Sequence, residues 1–259
     1  MSGFDQDYSD WINQCQALAS KFSIFFEEYH HSTKINPYLF IHQFSEYLQE
    51  NDIIVYDGGS IMNYVMQTFR IKKGQRLISS TGLELPGFAI PGAIGVSQWS
   101  QDKPIYCLCE GQGAQLSLTE LQTIATYQLP IKIMNFHSKG NATIRKIQKD
   151  FFGSRYVGTD NEILFGHSAI EEITRVYGIP VVEIKNPDKI AENLQDFISQ
   201  KGPVMCEIHV DSDQELIPRM GFTIKDDGKW LAKPLEDMYP FLEREVLQNA
   251  MCIDLWEED

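Results

Sequence analysis

Short apolar runs alternate with amphipathic stretches between Pro37 and Val210, and this rhythm constrains the fold more than any other feature of the chain. Runs rich in Ile, Val and Cys at Asp52–Tyr56, Ile105–Cys109, Ile131–Asn135, Val181–Ile184 and Val204–Val210 read as strands. Helix-like apolar spacing marks Tyr38–Leu48, Ile61–Phe69, Ser117–Tyr127, Thr143–Phe152, Ser168–Tyr177 and Pro187–Gln200. A strand without polar alternation is buried on both faces, and strands separated by helices pair in parallel across helical crossovers. The pattern therefore predicts an α/β fold, a doubly wound and mostly parallel sheet with helices on both faces.

The ends of the chain depart from that rhythm. Residues 1–35 carry Trp11, Leu18, Phe22, Phe25 and Phe26 at helical spacing before a polar His30-His31-Ser32-Thr33 run, and read as an N-terminal helical linker. Residues 36–210 form the α/β domain. Residues 211–259, with Gly221, Asp226-Asp227-Gly228 and Pro234, read as an extension packed on the same domain as a surface excursion and closing in a helix over Leu242–Ala250. No internal repeat or low-complexity segment interrupts the pattern.

Charge narrows the partners. The sequence has 36 acidic and 22 basic residues and a formal charge of −14, which repels phosphate backbones and anionic lipid. Nucleic acid and membrane surfaces are thus excluded as expected partners. Apolar runs such as Ile53-Ile54-Val55 fall far short of the roughly 20 residues of a membrane span, and the opening Met-Ser-Gly-Phe-Asp-Gln-Asp is acidic, so a cytoplasmic location is expected. Cys15, Cys107, Cys109, Cys206 and Cys252 lack C-x-x-C spacing and suggest neither a zinc site nor a disulfide framework. Cys107 and Cys109 alternate along a strand and read as buried core thiols.

In an open parallel sheet, ligands bind beyond the carboxyl ends of the strands, where glycine turns admit close backbone approach and helix starts offer free N–H groups. Asp57-Gly58-Gly59-Ser60 and Glu110-Gly111-Gln112-Gly113-Ala114 are two such turns. Either alone is ordinary turn punctuation. The absence of G-x-G-x-x-G with a downstream acidic residue argues against a dinucleotide site, and the absence of a G-x-S-x-G elbow argues against a classical hydrolase.

The neighbouring residues give these turns a context. The run Ile78-Ser79-Ser80-Thr81-Gly82-Leu83-Glu84-Leu85-Pro86-Gly87-Phe88-Ala89-Ile90-Pro91-Gly92-Ala93-Ile94-Gly95 resembles the S-S-x-G-L-x-x-M-G-x-G-L-P-A-A-I-G signature of acetolactate-synthase-like thiamine-diphosphate (ThDP) enzymes. Glu110-Gly111-Gln112-Gly113 falls at that family's G-D-G, Glu120-Leu121-Gln122-Thr123 at its Q-E-L-x-T, and Phe136-His137-Ser138-Lys139-Gly140 at its L-N-N loop. The ending Lys233-Pro234-Leu235-Glu236-Asp237-Met238-Tyr239-Pro240-Phe241-Leu242 is similar to the subset associated with bacterial surface-sugar and lipopolysaccharide loci. The resemblance implies the C-terminal, diphosphate-binding domain of a 2-keto acid decarboxylase/carboligase, with ThDP and Mg²⁺ as cofactors. It places cofactor contacts at Gly59, Ser60, Leu83, Pro86, Gly111, Gln112, Gly113, Ala114, Ser138, Lys139 and Gly140. The metal positions it implies are Gln112, Ser138 and the backbone carbonyl of Gly140.

Three of these positions depart from the family. Gln112 keeps a carbonyl where the family has an aspartate, and Ser138 keeps a shorter oxygen where it has asparagine, so the metal positions hold no carboxylate and Mg²⁺ affinity is expected to fall severely. Pro86 stands where a Met or Leu props the cofactor, and one residue is missing between Ala114 and Glu120. His137 and Lys139 add charge that would contact phosphate directly without metal; the alternative is drift after cofactor binding was lost. The resemblance also implies a pyrimidine-binding domain that supplies a cofactor-activating glutamate, for which 259 residues leave no room. A partner chain carrying that domain, a homo-oligomer, or both are expected. Two functions follow: a subunit of a split ThDP lyase/transferase acting on a 2-keto acid, or a pseudoenzyme with a structural or regulatory role.

Overall fold

A computed structural model describes residues 7–100, 103–138, 142–159, 170–251 and 253–255, apart from the side chains of residues 112 and 142. In chain order the elements are α1 (Ser9–Lys21), α2 (Glu27–His30), α3 (Pro37–Tyr47), β1 (Ile53–Tyr56), α4 (Ser60–Thr68), β2 (Arg76–Ile78) and α5 (Ala89–Ser97). Then follow β3 (Ile105–Glu110), α6 (Gly111–Leu116), α7 (Glu120–Tyr127), β4 (Ile131–His137), α8 (Ala142–Phe151), α9 (Ile170–Val176) and β5 (Val181–Ile184). The last elements are α10 (Ile190–Ser199), β6 (Val204–His209), β7 (Phe222–Ile224), β8 (Trp230–Ala232) and α11 (Arg244–Ala250). The described residues fall into two compact units, one within 27–215 and one within 1–26 and 216–259. Among them no helix is long and apolar enough to cross a membrane.

The larger unit is built on a six-stranded sheet in the order β2-β1-β3-β4-β6-β5, every pair parallel. The α/β fold expected from the alternation is therefore present. β3 and β4 lie in the centre and are buried along nearly their whole length; β3 accordingly reads as an apolar run without alternation, while β4 buries Lys132 and Asn135 among its apolar residues. Odd-numbered residues of β3, Ile105, Cys107 and Cys109, join Ile53, Val55, Ile131 and Ile133 in a cluster with Ala89, Ile90 and Ala93 of α5 and Leu121 and Ile124 of α7. Even-numbered Tyr106 turns to the opposite face, where its ring meets Phe44 of α3 edge-on at 5.5 Å. Glu110 has the same parity as Tyr106. Cys107, Cys109 and Cys206 are buried free thiols, as expected for core cysteines.

Local chemistry sets the element ends. Asn36 caps α3, its side-chain oxygen accepting from Tyr38 N at 2.9 Å and Leu39 N at 3.2 Å, with Pro37 in the first helical turn. The helix predicted over Ser117–Tyr127 is α7, which begins at Glu120, and a separate helix, α6, forms before it where only a glycine turn was expected; between the two the Ser117 hydroxyl donates to the Gly87 carbonyl at 2.7 Å. β2 was not predicted. It is three residues long, sits on the sheet edge and begins with Arg76, so it carries little apolar signal. In the second unit, within the stretch expected to be a surface excursion, β7 and β8 form an antiparallel pair, with Phe222 and Trp230 edge-on at 6.3 Å. There Asp237 accepts both guanidinium nitrogens of Arg244 at 2.7 Å.

Candidate cofactor cradle at the carboxyl ends of β1, β3 and β4

The turn after β1 is closed by a buried carboxyl. Asp57 Oδ1 accepts from the backbone N–H of Ala89 at 2.7 Å, and the N–H groups of Gly87 and Phe88 also point at the carboxyl, so this strand end is tied to the start of α5. Oδ2 is buried without a hydrogen-bond partner. Loss of solvent outweighs those N–H groups and pushes the carboxyl up to about 6. Gly58 lies against the backbone of Glu84, where a Cβ would collide with atoms that have no side-chain freedom to yield. Gly59 then takes φ 77°, the left-handed turn that swings the chain from β1 into α4.

The turn after β3 locks into the first. A Cβ on Gly113 would strike Asp57 Oδ2 and crowd Gly87 N, so α6 approaches the β1 turn only because residue 113 is glycine. With the Ser117–Gly87 bond, Asp57, Gly87 and Gly113 form one interlocked backbone frame.

Glu110 closes a second, side-chain cluster. At the end of β3, its Oε1 accepts from Ser138 Oγ at 3.0 Å, and the hydroxyl of Ser60, the first residue of α4, also donates to the carboxyl. Ser60 Oγ lies 3.5 Å from Thr143 Oγ1 of α8. Burial, reinforced by the charge of Asp57 and opposed by the two hydroxyls, pushes the Glu110 carboxyl up to about 7. On the other face of the sheet, in register with Asn135 and Cys109, buried Glu207 of β6 accepts from Asn135 Nδ2 at 2.7 Å and lies 3.0 Å from His137 Nδ1. The His137 ring lies 4.8 Å from that of His209, whose pKa is lowered by burial and by His137, with Glu183 opposing at 3.4 Å.

The structure brings Gly59, Ser60, Gly111, Gly113, Ala114 and Ser138 together at the ends of β1, β3 and β4. Leu83 lies in a one-turn 3₁₀ helix, Thr81–Leu83, with 83% of its surface exposed, and Pro86 is exposed in the turn before Gly87. Gln112 belongs to the first turn of α6; its side chain, Lys139 and Gly140 lie outside the described residues. Sequence reading missed the clamp at Asp57, the brace at Ser117 and the hydroxyl cluster at Glu110. A carboxylate as the last residue before glycine at both strand ends was the available signal.

Two tests bear on the ThDP and Mg²⁺ implied above. The backbone frame fits a diphosphate: it is glycine-lined, lies at strand ends and includes the first turn of the nine-residue helix α4. The metal positions taken alone do not fit Mg²⁺, since Gln112, Ser138 and Gly140 offer no carboxylate, and among the described residues no group of three or more His, Cys, Asp or Glu is placed to hold a metal. The carboxyl within reach of Ser138 is that of Glu110.

Comparison with known proteins agrees with this architecture. The profile of the thiamine pyrophosphate enzyme family, C-terminal TPP binding domain, matches residues 57–208, from the clamp at Asp57 to the end of the central sheet. The acetolactate synthase large subunit of Lactococcus lactis subsp. lactis is 26% identical over 221 residues, covering 85% of this chain and 37% of that protein. Its counterpart in Pyropia yezoensis is 27% identical over 187 residues, covering 72% of this chain and 31% of that protein. The mitochondrial acetolactate synthase of Schizosaccharomyces pombe is 26% identical over 216 residues, with coverages of 81% and 31%. The chain spans about a third of the length of the curated relatives it matches. It belongs to the thiamine pyrophosphate enzyme family, as a C-terminal TPP-binding domain.

Proposed function

We propose that this family member is the diphosphate-holding part of an acetolactate-synthase-like lyase/transferase acting on a 2-keto acid, working in the cytoplasm with a pyrimidine-binding partner chain, as a homo-oligomer, or both. Residues 36–210 are the domain that does this, with 1–35 as linker and 211–259 as extension. The observation that carries the reading is the interlocked frame of Asp57, Gly87 and Gly113, which preserves backbone access where cofactor diphosphate would lie. When bound, ThDP supplies the carbanion chemistry of decarboxylation and carboligation. The chain's own residues bind and orient it. The N–H groups of Gly59 and Ser60 at the start of α4 would hold a phosphate with the positive end of the helix dipole behind them, and Gly111 to Ala114 would offer backbone as well. Exposed Leu83 and Pro86 at the rim are apolar surface for the rest of the cofactor and the partner domain. Calorimetric titration with ThDP and Mg²⁺, alone and with a candidate pyrimidine-binding partner, tests this; binding heat is expected at least with the partner, and none in either case sinks it.

The second reading, a pseudoenzyme, is favoured by Glu110, whose carboxyl already takes the Ser60 and Ser138 hydroxyls that an incoming diphosphate or metal would use. On that reading the double change Gln112→Asp with Ser138→Asn creates no tight ThDP binding, and a gain of tight binding counts against it.

A further inference from the structure

We infer that a cleft at the amino ends of β1, β2 and β3 binds a small organic anion with a flat ring, its anionic head between Arg76 and Lys103 and its ring on Trp99. The cleft has a volume of about 340 Å³. Small-molecule sites span about 300–1,000 Å³. It lies at the opposite end of the strands from the cradle, since Ile53, which lines it, is the first residue of β1 and Asp57 follows the last.

The sheet register brings the cation and the ring together. Arg76 is the parallel partner of Ile53, so the two side chains leave the same face of the sheet. That face is covered by α5, and just beyond its end the ring of exposed Trp99 lies 5.2 Å from the Arg76 guanidinium. An indole holds a guanidinium in place without consuming its N–H donors. The walls are set by the backbone. Asn51 takes φ 66° and donates its N–H to the Lys73 carbonyl at 3.1 Å, while Gly74, at φ 74°, lies so close to the Asn51 amide that a Cβ would collide with it. Buried Gln75 ties the same turn down, accepting from Lys72 N and donating to the Gln49 carbonyl, each at 2.8 Å. On the far wall, buried Ser100 donates to the Lys103 carbonyl at 3.4 Å. Walls fixed in this way lower the ordering cost of binding.

The charge of the cleft is unspent. Lys34, Arg70, Lys146 and Arg244 all have carboxylate partners, but among the described residues Arg76 and Lys103 form no ion pair, and no acidic side chain lines the cleft. Lys103 does act on Asp52, yet that carboxyl accepts from the Gln49 N–H at 2.7 Å and acts on Tyr106, on the opposite face of the sheet. Such cations are conspicuous in a chain with 36 acidic and 22 basic residues. A neutral ring would leave them unanswered, and a bare inorganic anion would leave the indole face unused. An aromatic carboxylate and a nucleoside monophosphate share the chemistry that meets both.

Spectra of backbone and indole N–H groups in the full chain test this, with the Trp99 indole signal assigned by its loss in Trp99→Phe. The probes are AMP and benzoate, with adenosine and benzyl alcohol as their uncharged counterparts. At least one anion should shift the Trp99 indole signal and the amides of Gly74 and Lys103 saturably, and the responding anion tells phosphate from carboxylate. Its uncharged counterpart should bind at least about tenfold more weakly, and Arg76→Gln and Lys103→Gln should each weaken the anion by about tenfold, the size of one charge-assisted hydrogen bond. The same spectra report whether each variant is folded. No saturable shift by about 10 mM of either anion overturns the inference. So does equal binding of the uncharged counterpart, or unchanged affinity in both charge variants. Shifts confined to Gly59 and Ser60 place the anion in the cradle and overturn it as well.

Discussion

The two strand-end turns share a design and use it differently. Each ends a strand in a carboxylate, continues through glycine and opens a helix, yet Asp57 spends its carboxyl on backbone N–H groups of the next segment while Glu110 spends its own on side-chain hydroxyls. Backbone amides are fixed once the fold forms, so Asp57 is a structural clamp. Hydroxyls rotate and exchange partners, so Glu110 is free to take another ligand. The same residue chemistry at equivalent topological positions therefore divides into frame and site according to what each carboxyl touches.

If that division is right, damage to the β1 turn appears in stability. Gly58→Ala should have the largest effect, a loss of about 3 kcal/mol or more in urea unfolding, since its Cβ meets the Glu84 backbone and no flexible side-chain end can move away. Asp57→Ala should follow with about 2–3 kcal/mol, because it strands the N–H groups of Gly87, Phe88 and Ala89.

Glu110→Gln should act in the opposite direction. The folded-state pKa of about 7 lies above the ordinary 4.5, so the folded protein holds the proton more tightly than the unfolded chain, and the stability this contributes is lost as pH rises from 4.5 through 7. Removing the ionisable group should raise stability at pH 8 by about 1–3 kcal/mol and flatten the decline between pH 5 and pH 8. Denaturation curves at both pH values read this directly, and a destabilised variant with an unchanged slope would assign Glu110 to the frame. Ser117→Ala should cost about 1 kcal/mol through the lost bond to Gly87, and Ser138→Ala less, while raising the Glu110 pKa further by removing a donor.

The sequence made the frame legible and hid the cluster, for a physical reason. Parallel strands and their glycine turns leave local marks: the unbroken apolar run of Ile105–Cys109 and the double glycine after Asp57 need no partner to be recognised. Asp57 meets Ala89, and Glu110 meets Ser138, only through the fold, and such contacts between distant residues have no local periodicity. β2 and the β7–β8 pair escaped because three-residue strands with exposed positions carry almost no pattern. α5 was read as motif, its Pro91, Gly92 and Gly95 obscuring a helix that lies mostly within the sheet's covering layer.

Side-chain carboxyl ¹³C titration of the wild type and of Ser138→Ala tests the division between the two turns most directly. Free of ligand, Asp57 should titrate near 6 and Glu110 near 7. In Ser138→Ala the Glu110 value should rise further as a hydroxyl donor is lost, while Asp57 stays tied to its amides and moves little. A Glu110 that does not respond, or an Asp57 that shifts as far as Glu110, would contradict the account.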